Sequence, residues 1–200
     1  MKSITRAIDS SLKYVTQLSQ RSIVRAIDPS LKYVTQLRPS GTEVYKVERD
    51  GVAYVLKTNP LAYHAKDWGI LHIRQEIDVL QAAEDVDGIT HLVREYGEIG
   101  GRKVSLLKEF YNGTTLRSLG GFIKDTKLQK KLESVVRSLH SIGIANLDLN
   151  NNTNIIISPD ASDVRIVDLG CGVFSNNVTE RMFQGSVNMD MNALEFIFQQ

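Results

Sequence analysis

The sequence predicts an α+β protein, in which short antiparallel strands dominate the first half and helices lie between and after them. Three observations carry the prediction. GTEVYKVERDGVAYVLKT, residues 41 to 58, reads as strand, Asp50-Gly51 turn, strand, and Asp-Gly between alternating side chains is a strong hairpin signal. Leu128, Leu132, Val135, Val136 and Leu139 recur at i, i+4, i+7, i+8 and i+11 and mark an amphipathic helix over 125–142, stopped by Gly143. Asn154-Ile155-Ile156-Ile157 and Val164 to Val167, joined by a Ser-Pro-Asp-Ala-Ser-Asp turn, read as a second hairpin.

Composition bounds the rest. With 200 residues, 42% apolar and 24% charged, the chain has the balance of one or two ordinary globular domains. A formal net charge of +1 gives no reason to expect nucleic acid or an anionic membrane as a partner. One cysteine, Cys171, excludes an internal disulfide. No run approaches eighteen apolar residues, and the N-terminus has no apolar region of the signal-peptide kind.

The chain opens on a tandem repeat. SITRAIDSSLKYVTQL at 3–18 returns as SIVRAIDPSLKYVTQL at 22–37, with Thr5 replaced by Val24 and Ser10 by Pro29. Two units are too few for a solenoid, so this is a local duplication. Only the second copy runs on into the hairpin, so the first strand is expected at Lys32 to Leu37. The first copy is then surplus, a loosely ordered helix or an exposed tail. Its Ser, Thr and Gln with few acids also suit a non-cleaved bacterial export signal.

Along the second hairpin strand Ala53, Val55 and Lys57 share a face. Lys57 is either an edge charge or a buried cation with a partner. From Asp67 to Ala83, Ile70, Ile73, Ile77 and Leu80 repeat at helical spacing, with Glu76 on the same stripe. A carboxylate on a buried face needs a partner, since stranding one member of such a pair costs about 3–5 kcal/mol. Lys57 is the natural candidate. Tyr63 and Trp68 read as packing residues at the start of this helix. His91 to Tyr96 and Val104 to Phe110 read as two more strands about Gly100-Gly101, which brings the antiparallel sheet to five strands. In the later hairpin, Asp148 precedes Ile155 and Asp168 follows Val167, so both acids fall at one edge. Two acids and an asparagine there suit magnesium bound to phosphates.

These segments together resemble the protein-kinase superfamily, over residues 32 to 198. LHSIGIANLDLNNNTNIII is similar to the end of the kinase αE helix and the catalytic loop, and VRIVDLG to the metal-binding D-F-G segment with Leu169 for Phe. VYKV and YVLK resemble strands two and three of a kinase N-lobe, and RQEIDVL its αC helix. LLKEFYNGTTLRSL resembles the hinge, and Met189 to Phe198 the start of the αF helix with Asp190 bracing the catalytic loop. The resemblance implies a bilobal fold: a duplicated extension over 1–21, an N-lobe over 22–110 with the five-stranded sheet and αC, and a truncated, mostly helical C-lobe over 111–200.

It also implies the roles. Asp148 orients the attacking hydroxyl, Asp168 and Asn154 hold magnesium, and Lys57, restrained by Glu76, contacts the ATP phosphates. Gly41, Val44, Val55 and the backbone near Glu109 and Tyr111 enclose the nucleotide. Kinase spacing places the second metal ligand at Thr153; Asn154 directly precedes the strand, and Asn152 stays open. Asn146-Leu147 stands where kinases carry His-Arg, so activation-loop phosphorylation is not expected. The glycine-rich loop is reduced to Pro39-Ser40-Gly41-Thr42, and Lys108 takes the gatekeeper position. His140 is expected to be structural, and Cys171 a small buried residue or a redox-sensitive thiol.

Among minimal kinases the chain resembles the KEOPS kinase, RIO-type kinases and very small bacterial type III effector kinases. The last group implies a monomeric serine/threonine kinase delivered into host cytoplasm, acting on a protein such as the ninety-kilodalton heat-shock chaperone. The alternatives are a housekeeping or small-molecule kinase of the bacterial cytoplasm, and a pseudokinase serving as a binding module.

Overall fold

In the structure, a computed structural model describing residues 20–38, 42–59, 66–98 and 104–199, a helix over 20–27 (α1) leads through a turn into β1 (Lys32–Arg38). The first repeat copy and Tyr63 lie outside the described residues. Antiparallel to β1 runs β2 (Glu43–Arg49), with register shifts at Tyr33/Thr35 and Gln36/Arg38 that mark bulges in an edge strand. Asp50 and Gly51, at φ 54° and 79°, form the turn into β3 (Val52–Thr58). Two consecutive positive φ values match the right-handed strand twist, which is why Asp-Gly suits this position. The β2–β3 register then runs unbroken from Glu43↔Thr58 to Arg49↔Val52.

Helix α2 (Lys66–Ala82) follows, then β4 (Leu92–Tyr96) and β5 (Ser105–Glu109). The five strands form one antiparallel sheet in the order β1-β2-β3-β5-β4. After β5 come β6 (Thr114–Thr115), a 3-10 turn over Leu116–Leu119, α3 (Thr126–Ser141) and β7 (Ile144–Ala145). The chain continues through β8 (Ile155–Ile157), β9 (Val164–Ile166), β10 (Val173–Phe174) and α4 (Glu180–Phe198). The expected hairpin is β8–β9, with Ile155 opposite Ile166, and β6 adds a third strand to it. A separate ladder pairs β10 with β7.

The described residues form two compact units. One holds those up to Ile70 together with Arg94–Lys108; the other holds Leu71–Val93 and everything from Glu109. The division over 22–110 and 111–200 drawn from the sequence is contiguous, whereas the contacts interleave. The reason is packing: Val79, Leu80, Ala83, Val86 and Ile89 bury among Leu132, Val136 and Leu139 of α3. The core of the first unit lies on one sheet face, where Tyr45, Val47, Leu56, Tyr96 and Leu107 meet Val24, Ile27 and Leu31 of the second repeat copy.

Three expectations change at the edges. Trp68 is 76% exposed and packs no core. The final helix begins at Glu180, ahead of the apolar run from Met189, because Thr179 caps it by accepting from Met182 N. Residues 180–189 carry no fully buried side chain, so their pattern is polar and conceals the helix. Cys171 is half-buried rather than enclosed.

Candidate active site

The site is built from a short loop with two residues in the left-handed region, which Asn and Asp tolerate better than other non-glycine residues. Between β7 and β8, Asn146 and Asp148 take φ 64° and 51°, left-handed values that cost non-glycine residues about 1–3 kcal/mol each. What holds them is Asp190 on α4, only 3% exposed. Its Oδ2 accepts from Asn146 N at 2.9 Å and its Oδ1 from Leu147 N at 2.8 Å. His140 Nε2, at the end of α3, lies 3.0 Å from the same Oδ2. His140 thus braces Asp190, in keeping with the structural role expected of it. Leu147 and Leu149 point into the core at 0% and 1% exposure, which turns Asp148 between them outward to a half-exposed position.

Asn154 fixes the next component. Its Nδ2 donates to Asp148 Oδ2 at 3.1 Å and to Asp148 O at 3.3 Å. The competing positions face elsewhere: Asn152 Nδ2 reaches Gly121 O at 3.5 Å, and Thr153 Oγ1 donates to Asn151 Oδ1 at 2.7 Å. With its amide hydrogens turned toward Asp148, Asn154 has its carbonyl oxygen as the atom for a cation. Asn154 O accepts from Val167 N at 2.8 Å, and Asp168 comes next in the chain, so strand pairing alone places Asp168 at the Asn154 edge. Gly170 N donates to Asp168 Oδ1 at 3.2 Å, which turns the D-L-G backbone around that carboxylate.

Among the described residues no three His, Cys, Asp or Glu side chains form a group that could hold a metal ion by themselves. Two carboxylates and an amide oxygen nevertheless fit magnesium, which keeps waters and takes the remaining oxygens from phosphates. Beside this loop Asn146 Nδ2 donates to Cys171 O at 2.7 Å, and Cys171 Sγ lies 3.9 Å from His72 Nδ1.

Other candidate residues sit in the first unit. Val44 lies opposite Lys57 in the β2–β3 register, so Val44, Val55 and Lys57 share the sheet face away from Leu56 and Tyr45. Ser105 Oγ donates to Thr58 Oγ1 at 2.7 Å, which aligns β5 with β3 and puts Lys108 on the Lys57 face. Lys57 and Lys108 are both only 4% exposed, and neither is without a partner. Gly41 lies outside the described residues. Glu76, in the second unit, is fully buried and also partnered.

The segment after β5 is held by a network absent from the sequence expectations. Glu109 N donates to His91 O at 3.0 Å, so at that residue only the carbonyl could serve a ligand. Glu109 Oε2 accepts from His91 N at 3.2 Å and lies 3.8 Å from Arg165 Nη1. The Arg165 guanidinium stacks 4.8 Å from the Tyr111 ring centre, and Tyr111 Oη donates to Asp163 Oδ2 at 2.9 Å. Burial and that hydrogen bond push the Tyr111 hydroxyl pKa up. Burial alone would raise Asp163, but Lys131, Tyr111 and Arg165 outweigh it and hold the carboxyl below its usual range. Alternating polarity around β9 was the available signal; the partners come from three separate segments.

Compared with known proteins, the chain matches no family model and no curated protein. Among the described residues no helix is long and apolar enough to cross a membrane.

Proposed function

We propose that this protein is an ATP-dependent phosphotransferase with a bilobal, kinase-like architecture, acting on serine or threonine of a protein substrate. The supporting observation is the loop held by Asp190, which presents Asp148 clamped to Asn154 beside Asp168. Phosphoryl transfer asks for positioning and charge neutralisation, and a braced loop with oxygen ligands supplies both. Magnesium, when bound, neutralises phosphate charge; Asp168 and the Asn154 carbonyl would hold it.

Asp148 takes or orients the proton of the attacking hydroxyl. By the resemblance, Lys57 paired with Glu76 contacts the α and β phosphates, Val44 and Val55 cover the base, and Gly41, outside the described residues, belongs to the phosphate loop. The Glu109 carbonyl and the Tyr111 backbone serve the base edge. The resemblance to small type III effectors makes a host protein, such as the ninety-kilodalton heat-shock chaperone, the substrate and host cytoplasm the place of action.

The test is γ-labelled ATP with magnesium, incubated with the protein in a eukaryotic lysate beside Asp168→Ala. A labelled protein band that disappears with Asp168→Ala is expected. A folded protein that transfers no label to protein or small molecule overturns the reading.

A further inference from the structure

The second repeat copy does specific structural work, and nearly all of that work is encoded again in residues 3–18. Ile27 and Leu31 are 4% and 2% exposed in the first-unit core, and their counterparts are Ile8 and Leu12. Asp28 is buried and accepts from Ser30 N and Oγ at 2.9 and 2.6 Å and from Tyr96 Oη at 2.6 Å, with Arg94 3.9 Å away. Asp9 and Ser11 repeat Asp28 and Ser30, while Tyr96 and Arg94 belong to the sheet and would serve either copy. Tyr33, whose ring meets Tyr45 edge-on at 6.0 Å, is repeated as Tyr14.

Two differences lie within the repeat. Ser10 replaces Pro29 at an exposed turn position, where little depends on it. Thr5 replaces Val24, which is fully buried. A hydroxyl at that apolar position costs about tenfold in the equilibrium. Just outside the repeat, Met1 stands where Gln20 accepts from Tyr33 Oη.

We propose that the groove formed by the first-unit core face and the β2 edge on which β1 lies is a docking surface for either copy, and that residues 3–18 compete with 22–37 for it within one chain. The groove selects the second copy through Val24 and through chain connection. Residues 39–42 link the second copy to β2, whereas the first copy would close a loop of some twenty residues, a further factor of about ten. The first copy is thus a minor occupant held back by one hydroxyl and loop entropy.

The test uses the full chain with Cys171→Ser and Val24→Cys, a change of similar volume, and follows maleimide labelling of the buried thiol. Thr5 affects the introduced thiol only if the two copies compete. Thr5→Val should accelerate labelling about tenfold, and Ile8→Asp, which disables the first copy, should slow it to the rate set by unfolding. Equal rates in all three chains overturn the proposal, as does a rate that rises with protein concentration. Leu31→Cys repeats the measurement at a second buried site if Val24→Cys fails to fold. None of these outcomes depends on phosphotransfer.

Discussion

Replacing Asp190 by asparagine isolates the bond set that shapes the candidate catalytic loop. The carboxylate accepts one backbone amide on each oxygen, and an asparagine of the same shape offers one acceptor and one amide donor. In either orientation its NH2 faces a backbone N–H, so one buried donor is unsatisfied. That costs about 1–3 kcal/mol, and the surviving bond loses its charge assistance, for a total of about 2–4 kcal/mol. In a chain of this size that corresponds to a fall of roughly 5–12 °C in Tm. Thermal and urea denaturation of Asp190→Asn should show it, with Asp85→Asn, an exposed turn acid, as the control. A change below about 0.5 kcal/mol would mean that the left-handed loop is stable without Asp190, and the account of the site would be refuted. If phosphotransfer holds, activity should fall further than stability explains, because Asp148 loses its position.

Other expectations follow from single contacts. Gly88 has φ +89°, and an added Cβ would meet Val135 Cγ2 at 2.1 Å; Gly51 has φ +79° with nothing within 4 Å. Gly88→Ala should therefore cost about 2–4 kcal/mol and Gly51→Ala about 1–2, compared by urea denaturation. Asp28 is raised by burial but lowered more by the Ser30, Tyr96 and Arg94 contacts, so its folded pKa lies below 3.8. A depressed carboxylate stabilises the fold above its unfolded pKa and loses that contribution as pH falls through the folded value. Asp28→Asn should thus be about 1–2 kcal/mol less stable at pH 7, with the gap narrowing under acid in stability measured from pH 7 to 2. Arg165→Ala should destabilise by about 1–2 kcal/mol and, on the proposed function, also weaken nucleotide binding by loosening Tyr111. A double-mutant cycle with Tyr111→Phe, read by denaturation and calorimetry, should show coupling between them.

The element types were legible because they depend on local chemistry. Period two around Asp50-Gly51, the Leu128 to Leu139 stripe and the β8–β9 apolar runs each identify an element without reference to the rest of the chain. The half of α4 before Asp190 was illegible because it buries no full side chain and so leaves no periodic apolar trace. The choice among Asn152, Thr153 and Asn154 was likewise beyond spacing, since three adjacent polar residues in a turn differ only in where each side chain points.

What the sequence determined by itself was therefore the α+β class, the early sheet, the main helices and the order of chemistry-bearing residues along the chain. The resemblance already implied that Asp190 braces the loop, and the structure gives its partners; tertiary structure alone decided that Asn154 clamps Asp148 and that Arg165 ties Tyr111 to Asp163. The physical reason is that strands and helices report their burial through period, while a hydrogen bond between distant loops has no period. It exists only once packing has fixed both ends.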